Sequence, residues 1–535
     1  MILTRATQFY ETLSPRAKKL APYLALVIAV FLAYCNVYGS EFLYDDEFLI
    51  VKNEFLRSWD YLGSIFTGSI GAGAHQASGF YRPLQVVLYL IVFQISELSL
   101  FGYHLLNIVL HSANACLVYK LGRKLRFQSA ASFLAALVWA LHPVHTEVIA
   151  YISGTADPLF AFFCLLTLVI LLPSFKAHKF YIALPLFILG LLSKEEAVIL
   201  PLLAVTCLFL LEKDRLKPKT YLRTWPLWGM AGLYAILHEI FLKFDGFQLY
   251  RLNDTYANSI LCRLWTFLAT LPSYLGFLVW PFGLHFDRDF QPVLSPWNLP
   301  VLGGFAMLAI AAFFVFRGRN RQGLIISWGL LWFTAAHLLH TGILVPVNAM
   351  LLEHWLYLPT VGIFLAAAQV LILALNKKRW EKYQTHVAVA ALLLAAFLGV
   401  LSFRQNRVWR DPETFYLHIF KHGEPSPHAH NNLGILYTLQ GKYTKAVEEF
   451  DLSIRLSGDT NAQAHHNMAI ALLNGPNGKS YTQEAIKHFK RTLEMEPNSP
   501  LSSNALAYMY EQQGDKEEAA YYQAMTESIR KRLRP

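Results

Sequence analysis

Charge is what this chain has least of. Only 15% of its 535 residues are Asp, Glu, Lys or Arg, while 55% are hydrophobic. A soluble globular domain carries about a quarter charged residues, so this composition belongs to a membrane protein. Cysteine is scarce too, with five residues: Cys35, Cys116, Cys164, Cys207 and Cys262. All lie in or at the ends of apolar runs and none has metal-ligand spacing, which excludes a disulfide framework and a zinc site and leaves small buried hydrophobes. No Gly-rich phosphate loop is present, so nothing points to a nucleotide-binding fold. The net charge is +10, but the stretch from Phe403 onward holds 16 basic and 15 acidic residues. The positive excess therefore sits in the short loops of the apolar part, where it reports topology rather than nucleic-acid binding.

What is abundant is long apolar sequence. Runs near membrane length lie at about 21–39, 101–120, 157–173, 196–212, 225–243, 299–316, 323–340, 355–374 and 385–402, with shorter ones at about 129–143 and 178–193. Basic clusters alternate between them: Arg16, Lys18, Lys19; Arg123, Lys124, Arg126; Lys176, Lys179; Lys213, Arg215, Lys217, Lys219; Arg317, Arg319, Arg321; and Lys377, Lys378, Arg379, Lys382. The positive-inside rule places all of them in the cytoplasm. The result is about eleven crossings with an extracytoplasmic C-terminal tail. Loops 40–100, 144–156, 244–298 and 341–354 then face outward. Counting 84–98 or 259–282 as one crossing would move basic loops outside, so the first reads as an interfacial helix and the second as a broken or hairpin element.

Self-similarity begins after Phe403. HNNLGILYTLQGKYTKAVEEF (430–450), HNMAIALLNGPNGKSYTQEAIKHF (466–489) and NALAYMYEQQGDKEEAA (504–520) share one frame of large, small and aromatic positions. The frame resembles the tetratricopeptide repeat, a helix pair of about 34 residues whose stacks present a peptide-binding groove. The expected division is a membrane domain over 1–402, a linker over 403–424, and about three repeats over 425–535. A generic helical tail is the plainer alternative, and a repeat array that binds a protein or peptide is the reading favoured here.

Charged groups beside spans are costly and make functional hypotheses. GSEFLYDDEFLIVKNEF follows the first span and carries Asp45 and Asp46, and FYRPL carries Arg82 in the same outer loop. LHPVHTEVIAYISGTADP supplies His142, His145, Glu147 and Asp157, while LLSKEEAV supplies Lys194, Glu195 and Glu196, and LLEHWLYLP supplies Glu353 and His354. Each has a plain alternative: solvated loop acids for Asp45 and Asp46, an interface and helix stop at Pro143 for the histidines, snorkelling for Lys194. HPVH matches no well-known metal-ligand pattern, so no metal is assigned. What these residues share is the outer side of the topology. A carboxylate to take a hydroxyl proton and cations to hold a departing lipid phosphate are what glycosyl transfer from a lipid-linked sugar requires.

In order along the chain, YDD, FYRPL, FGYHLLNIVLHSANACLVY, LHPVHTEVIAYISGTADPL, LSKEEAVILPLL and EHWLYLP, followed by the repeats, resemble the transmembrane and tetratricopeptide-repeat-containing O-mannosyltransferases and their bacterial relatives, in the GT-C glycosyltransferase superfamily. The resemblance implies an all-α, polytopic GT-C-type domain followed by a short repeat solenoid. It further implies a polyprenyl-phosphate sugar donor, an inverting mechanism and, in eukaryotic members, protein Ser/Thr acceptors. It maps the family's acidic pair onto Asp45 and Asp46 as catalytic residues. Arg82, His142, His145, Glu147, Asp157, Lys194, Glu195 and Glu353 take the donor-binding positions. Two departures stand out: Gly154-Thr155-Ala156 precedes Asp157 where relatives often have Arg, and His354 stands where Arg is expected. The short array suggests a bacterial inner-membrane protein with periplasmic repeats.

The expectation is an integral membrane glycosyltransferase, O-mannosyltransferase-like, whose partners are the bilayer, the lipid-linked donor and a protein or peptide acceptor, without nucleic acid or certain cofactor. The same chemistry on a glycolipid or cell-wall glycan, and a non-catalytic scaffold that gathers envelope proteins, remain the alternatives.

Overall fold

The structure is a computed structural model that describes residues 14–76, 78–241, 254–288, 290–317, 320–347, 349–423, 426–476 and 478–533. Residues 244–253 of an expected outer loop, and Arg319, lie outside the described residues. Among the described residues there are helices and no strands. The chain forms two compact units, Met1–Leu284 with Phe290–Asp411, and His285–Asp289 with Pro412–Pro535.

In the first unit the apolar runs become α1 (Pro15–Tyr34), α2 (Pro83–Ser96), α3 (Leu100–Lys124), α4 (Ser129–Leu141), α5 (Ala156–Leu171), α6 (Phe180–Ser193) and α7 (Leu200–Leu211). α8 (Trp225–Phe241), α9 (Ile260–Val279), α10 (Leu299–Arg317), α11 (Arg321–His337), α12 (Pro359–Leu375) and α13 (Gln384–Gln405) follow. Among the described residues, six helical segments, α9 included, are long and apolar enough to cross a membrane, and a seventh is if α4 and the bent stretch after it, 56° away, count as one. This is an integral membrane protein. α2 has 14 residues, about 21 Å of rise against a hydrocarbon core of about 30 Å, which suits the interfacial helix expected there.

Helix boundaries are set by proline. Pro83, Pro143, Pro201 and Pro359 each sit in the first turn of a helix, where the missing N–H is no loss and φ is already helical. Arg82 and His142 immediately precede two of these prolines in non-helical conformation, while Glu196 lies in the 3-10 stretch Glu195–Ile199 and His354 in the 3-10 turn His354–Leu356.

One expectation is corrected. The 259–282 element is neither broken nor a hairpin: α9 is a continuous 20-residue helix, Pro272 included. By length and apolarity it could cross a membrane, but the contacts at its two ends point to one side. At its start, Tyr256 stands so close to Gly342 that a Cβ there would lie 2.2 Å from the tyrosine oxygen. At its end, His142 Nε2 donates to the Leu278 carbonyl at 3.1 Å. Tyr274 packs edge-on against His337, ring centroids 4.8 Å apart. His142 and Gly342 both follow helices, α4 and α11, whose other ends carry basic clusters. Both ends of α9 therefore meet the same side, and the helix runs along that side. The helix has a wide apolar face, and α10 covers part of it where Gly304 lets the Leu268 carbonyl approach (a Cβ would meet that oxygen at 2.1 Å).

The second unit holds three helix pairs. They are α15 (Pro427–Leu439) with α16 (Tyr443–Leu456), α17 (Ala462–Asn474) with α18 (Thr482–Met495), and α19 (Pro500–Gln513) with α20 (Lys516–Leu533), preceded by α14 (Pro412–His422). The linker expected over 403–424 contains the end of α13, a 3-10 turn at Asn406–Trp409 and α14, and the units divide after Asp411. Small residues sit where paired helices cross: Ala446, Ala469 and Ala485 are fully buried. A Cβ on Gly434 would meet the Phe450 ring at 2.6 Å. Gly434→Val should overpack this crossing and destabilise the repeats by about 1–3 kcal/mol. Limited proteolysis of the full-length protein in detergent should cut the 412–535 unit markedly faster than in wild type.

Candidate functional site

The polar residues that sequence places at helix ends come together, and the centre of the arrangement is Lys194. It follows α6 in extended conformation, its ammonium buried. Nζ lies 2.9 Å from Asp157 Oδ1 and 2.9 Å from Glu196 Oε2. Asp157 occupies the first turn of α5, where the helix dipole favours a negative charge. Glu196 is held from its other side by His340, at 3.0 Å. Burial alone would neutralise Lys194, but Asp157 and Glu196 outweigh it and hold its pKa above the ordinary lysine value. Burial likewise pushes Glu196 toward neutrality, and Lys194 and His340 reverse this, leaving it well below the usual carboxylate range.

Beside this group, Arg82 makes a two-pronged bond to Glu195, Nε to Oε2 at 3.1 Å and a terminal nitrogen to Oε1 at 2.8 Å. Such fork-to-fork geometry fixes both side chains as well as pairing their charges. Burial opposes the charge on each, and the pair overcomes it in both directions: Arg82 is raised and Glu195 lowered. A third pair joins Glu147, on the short helix Thr146–Ala150, to His354 Nδ1 at 2.7 Å.

The acidic loop is latched against the same region. Asp46 is 1% exposed. It accepts hydrogen bonds from the Leu43 N–H at 2.9 Å and the Ser153 N–H at 2.8 Å, and a further one from the Ser153 hydroxyl. Tyr44 takes a left-handed φ of +46° just before the pair. Asp45 is half-buried, its N–H bonded to the Tyr151 hydroxyl at 3.0 Å. Burial pushes Asp45 up to about 6, against the pull of Tyr151 and Arg82. Burial pushes Asp46 up to about 7, against its hydrogen bonds and with a further push from Asp45. The two acids have unlike duties: Asp46 ties the loop down, while Asp45 keeps an accessible carboxylate within the field of Arg82.

Sequence-designated residues thus divide. Asp45, Asp46, Arg82, Glu147, Asp157, Lys194 and Glu195 fall into one linked neighbourhood. Glu353 is buried just before the His354–Leu356 turn. His142 and His145 lie outside the ion-paired group. The first spends Nδ1 on the Val144 N–H and Nε2 on the Leu278 carbonyl. The second is enclosed by Trp139, Tyr357 and His111. Among the described residues, no group of three or more His, Cys, Asp and Glu is arranged to hold a metal ion.

Some residues carry more than sequence reasoning gave them. Glu196 and His354 were visible in their motifs but received no role; His340 was missed. Missed also was a polar stripe on α3, His104, Asn107, His111 and Asn114, spaced 3, 4 and 3 apart in an otherwise apolar helix. That spacing is one helical face, and it was readable. Asn107 donates to the Tyr151 carbonyl at 3.2 Å and Asn114 to the Pro158 carbonyl at 2.8 Å. His111 donates from Nε2 to the Ala140 carbonyl at 2.9 Å, so its Nδ1 accepts from the Tyr357 hydroxyl at 2.8 Å. Asn107 and Asn114 thus clamp the 149–158 backbone that presents Ser153 and Asp157, while His111 ties the end of α4 to Tyr357.

With this geometry in view, the comparisons with known proteins can be read. A family described as dolichyl-phosphate-mannose-protein mannosyltransferase matches residues 83–240, and tetratricopeptide-repeat families match 427–460 and 482–530. A protein O-mannosyl-transferase of Caenorhabditis elegans is 26% identical over 438 residues, covering 78% of this chain and 60% of that protein. The chain is a sequence relative of the protein O-mannosyltransferases. One from Homo sapiens is 25% identical over 491 residues, 78% of this chain and 64% of its own length. The chain therefore spans less than two thirds of the length of these relatives. The resemblance drawn from the ordered motifs and the repeats is borne out. Among solved structures, an Archaeoglobus fulgidus oligosaccharyltransferase tethered to an acceptor peptide matches with a TM-score of 0.41 and 15% identity, over 81% of this chain and 59% of its own.

Removing the ammonium of Lys194 leaves two buried carboxylates without their shared partner. Lys194→Met should cost about 3–5 kcal/mol, read as a large drop in the melting temperature of the detergent-solubilised protein.

Proposed function

We propose that this protein is a membrane glycosyltransferase that moves a sugar from a polyprenyl-phosphate donor to a hydroxyl, on protein Ser or Thr, at the extracytoplasmic face. One observation carries the reading. Asp45 stands beside a buried set of cations, at the ends of helices α1, α4, α5, α6 and α11 opposite their basic loops. Positive-inside topology makes that the outer side, where a lipid-anchored sugar phosphate can be reached from the bilayer. An unbroken α9 lying along one side keeps the crossing count odd, which supports an extracytoplasmic repeat unit in a bacterial inner membrane.

In this reading Asp45 is the base. The acceptor oxygen attacks the anomeric carbon as its proton passes to the Asp45 carboxylate, and the carbon–oxygen bond to phosphate breaks, its electrons staying on the phosphate oxygen. Arg82 and Lys194 stabilise that charge. The bond to Glu195 uses two of five guanidinium N–H groups and the two carboxylates use two of three on Lys194, so each has donors left for phosphate. Attack opposite the leaving phosphate inverts the anomeric centre. The acid on the attacking side and the cations on the departing side fit that outcome. The repeats hold the acceptor protein. Family matches to the mannosyltransferase model favour mannose and a protein acceptor over a glycolipid or glycan.

Asp45→Asn should lower transfer by about 10²–10⁴-fold, with Asp46→Asn instead reducing thermal stability through the loosened loop. In wild type the rate should rise with pH as Asp45 ionises through about 6, because a base works only in its deprotonated form. Intact glycoproteins and extracted glycolipids from a deletion strain provide the separate readout. Loss of glycan from proteins supports the reading; loss from glycolipids alone moves the acceptor; no change in either, with function lost on deleting 425–535, supports the scaffold.

A further inference from the structure

The Glu147–His354 pair, like Glu196–His340, joins a carboxylate to a histidine, a side chain whose charge depends on pH, and here the histidine is partly exposed. His354 sits on the short turn that precedes α12. With Asp157, Glu196, His340 and Tyr357 it lines a cavity of about 10 Å³, room for one water and too small for a phosphate, so an anion reaches the ring only over its exposed edge. Its side chain keeps 19% of its surface exposed, against 5% for Glu147. Nδ1, 2.7 Å from the Glu147 carboxylate, must be the nitrogen that carries a proton, since an ionised carboxylate only accepts. In the neutral ring Nε2 is then a bare lone pair, an acceptor that repels an anion. Only the doubly protonated ring turns Nε2 into a donor.

The surrounding charges make that difference matter. Asp157, Glu195 and Glu196 outnumber Arg82 and Lys194, and Glu147 adds a fourth acid. An anionic ligand entering this neighbourhood needs every cation it can find. We propose that His354 is a phosphate-binding residue: its Nε2–H, available while the ring is charged, bonds the phosphate of the lipid-linked donor, and Glu147 positions it by holding Nδ1. This rests on the glycosyltransferase reading above and adds a titratable element to donor binding.

The titratable groups around His354 are Glu147, Asp157, Lys194, Glu196, His340 and the adjacent Glu353. Burial would neutralise the ring, but Glu147 first, and Asp157 after it, outweigh burial and the repulsion of Lys194, so its pKa lies above the ordinary histidine value. The charged form therefore persists to higher pH than in an ordinary histidine and is lost as pH rises further. Bound phosphate strengthens this bias.

The test measures donor kcat/KM across pH for the full-length protein in detergent, with polyprenyl-phosphate mannose as donor and a Ser/Thr peptide as acceptor. Wild type should fall about tenfold per pH unit on the alkaline side. His354→Arg, a permanent cation, should abolish that alkaline limb. Glu147→Gln should move it to lower pH, and it serves where the Arg side chain disturbs folding. An alkaline limb that survives His354→Arg at the same position and is unmoved by Glu147→Gln overturns the inference while leaving the transfer reading intact. Absence of wild-type transfer from any polyprenyl-phosphate sugar, with a monodisperse folded protein, removes the reading itself and the inference with it.

Discussion

Everything at the candidate site depends on a buried ammonium with two carboxylates. Lys194 is 3% exposed and is bonded to Asp157 and Glu196. Burying any of these alone would cost several kcal/mol; together they set where α5, α6 and α7 end. Glu196 passes the constraint to His340 after α11, and Asp157 is drawn into the fields of both Arg82 and His354. A membrane domain has little hydrophobic drive between its helices, since lipid is as apolar as leucine. Charged contacts at the helix ends can therefore decide how those ends converge.

That convergence is what turns scattered acids and bases into a site. Asp46 contributes by position rather than by chemistry: two hydrogen bonds from Ser153 fix the first loop onto that segment, a third from the Leu43 N–H shapes the loop itself, and Asp45 stays in the field of Arg82. Asn107 and Asn114 on α3 play the same part for the 149–158 segment. Catalysis by electrostatic preorganisation needs such supports, because donors that must reorganise during reaction lose most of their worth.

Much of this was legible in the sequence, for reasons that can be named. Apolar length set the helices, alternating basic loops set their sides, and the repeat frame located Gly434, Ala446, Ala485 and their aromatic partners. The acids and bases at the outer ends were readable because charge beside a span is expensive and so conspicuous. What escaped was pairing. Nothing in SKEEAV says that Lys194 shares itself between Asp157 and Glu196, or that Arg82 chooses Glu195, since residues on different helices meet only through packing. The α9 stretch reads in sequence as broken or a hairpin because a single crossing there would move basic loops outside, whereas the helix is continuous through Pro272. His142 and His145 drew notice as a motif, yet one serves backbone groups and the other packs among aromatic rings.

The most direct test of a lipid-phosphate sugar site at these helix ends is transfer by the purified full-length protein, supplied in parallel with radiolabelled polyprenyl-phosphate mannose and with nucleotide-linked mannose, in the presence of a Ser/Thr-containing peptide. The account predicts label in the peptide from the lipid donor and none from the nucleotide donor. Label from the nucleotide donor alone would contradict it.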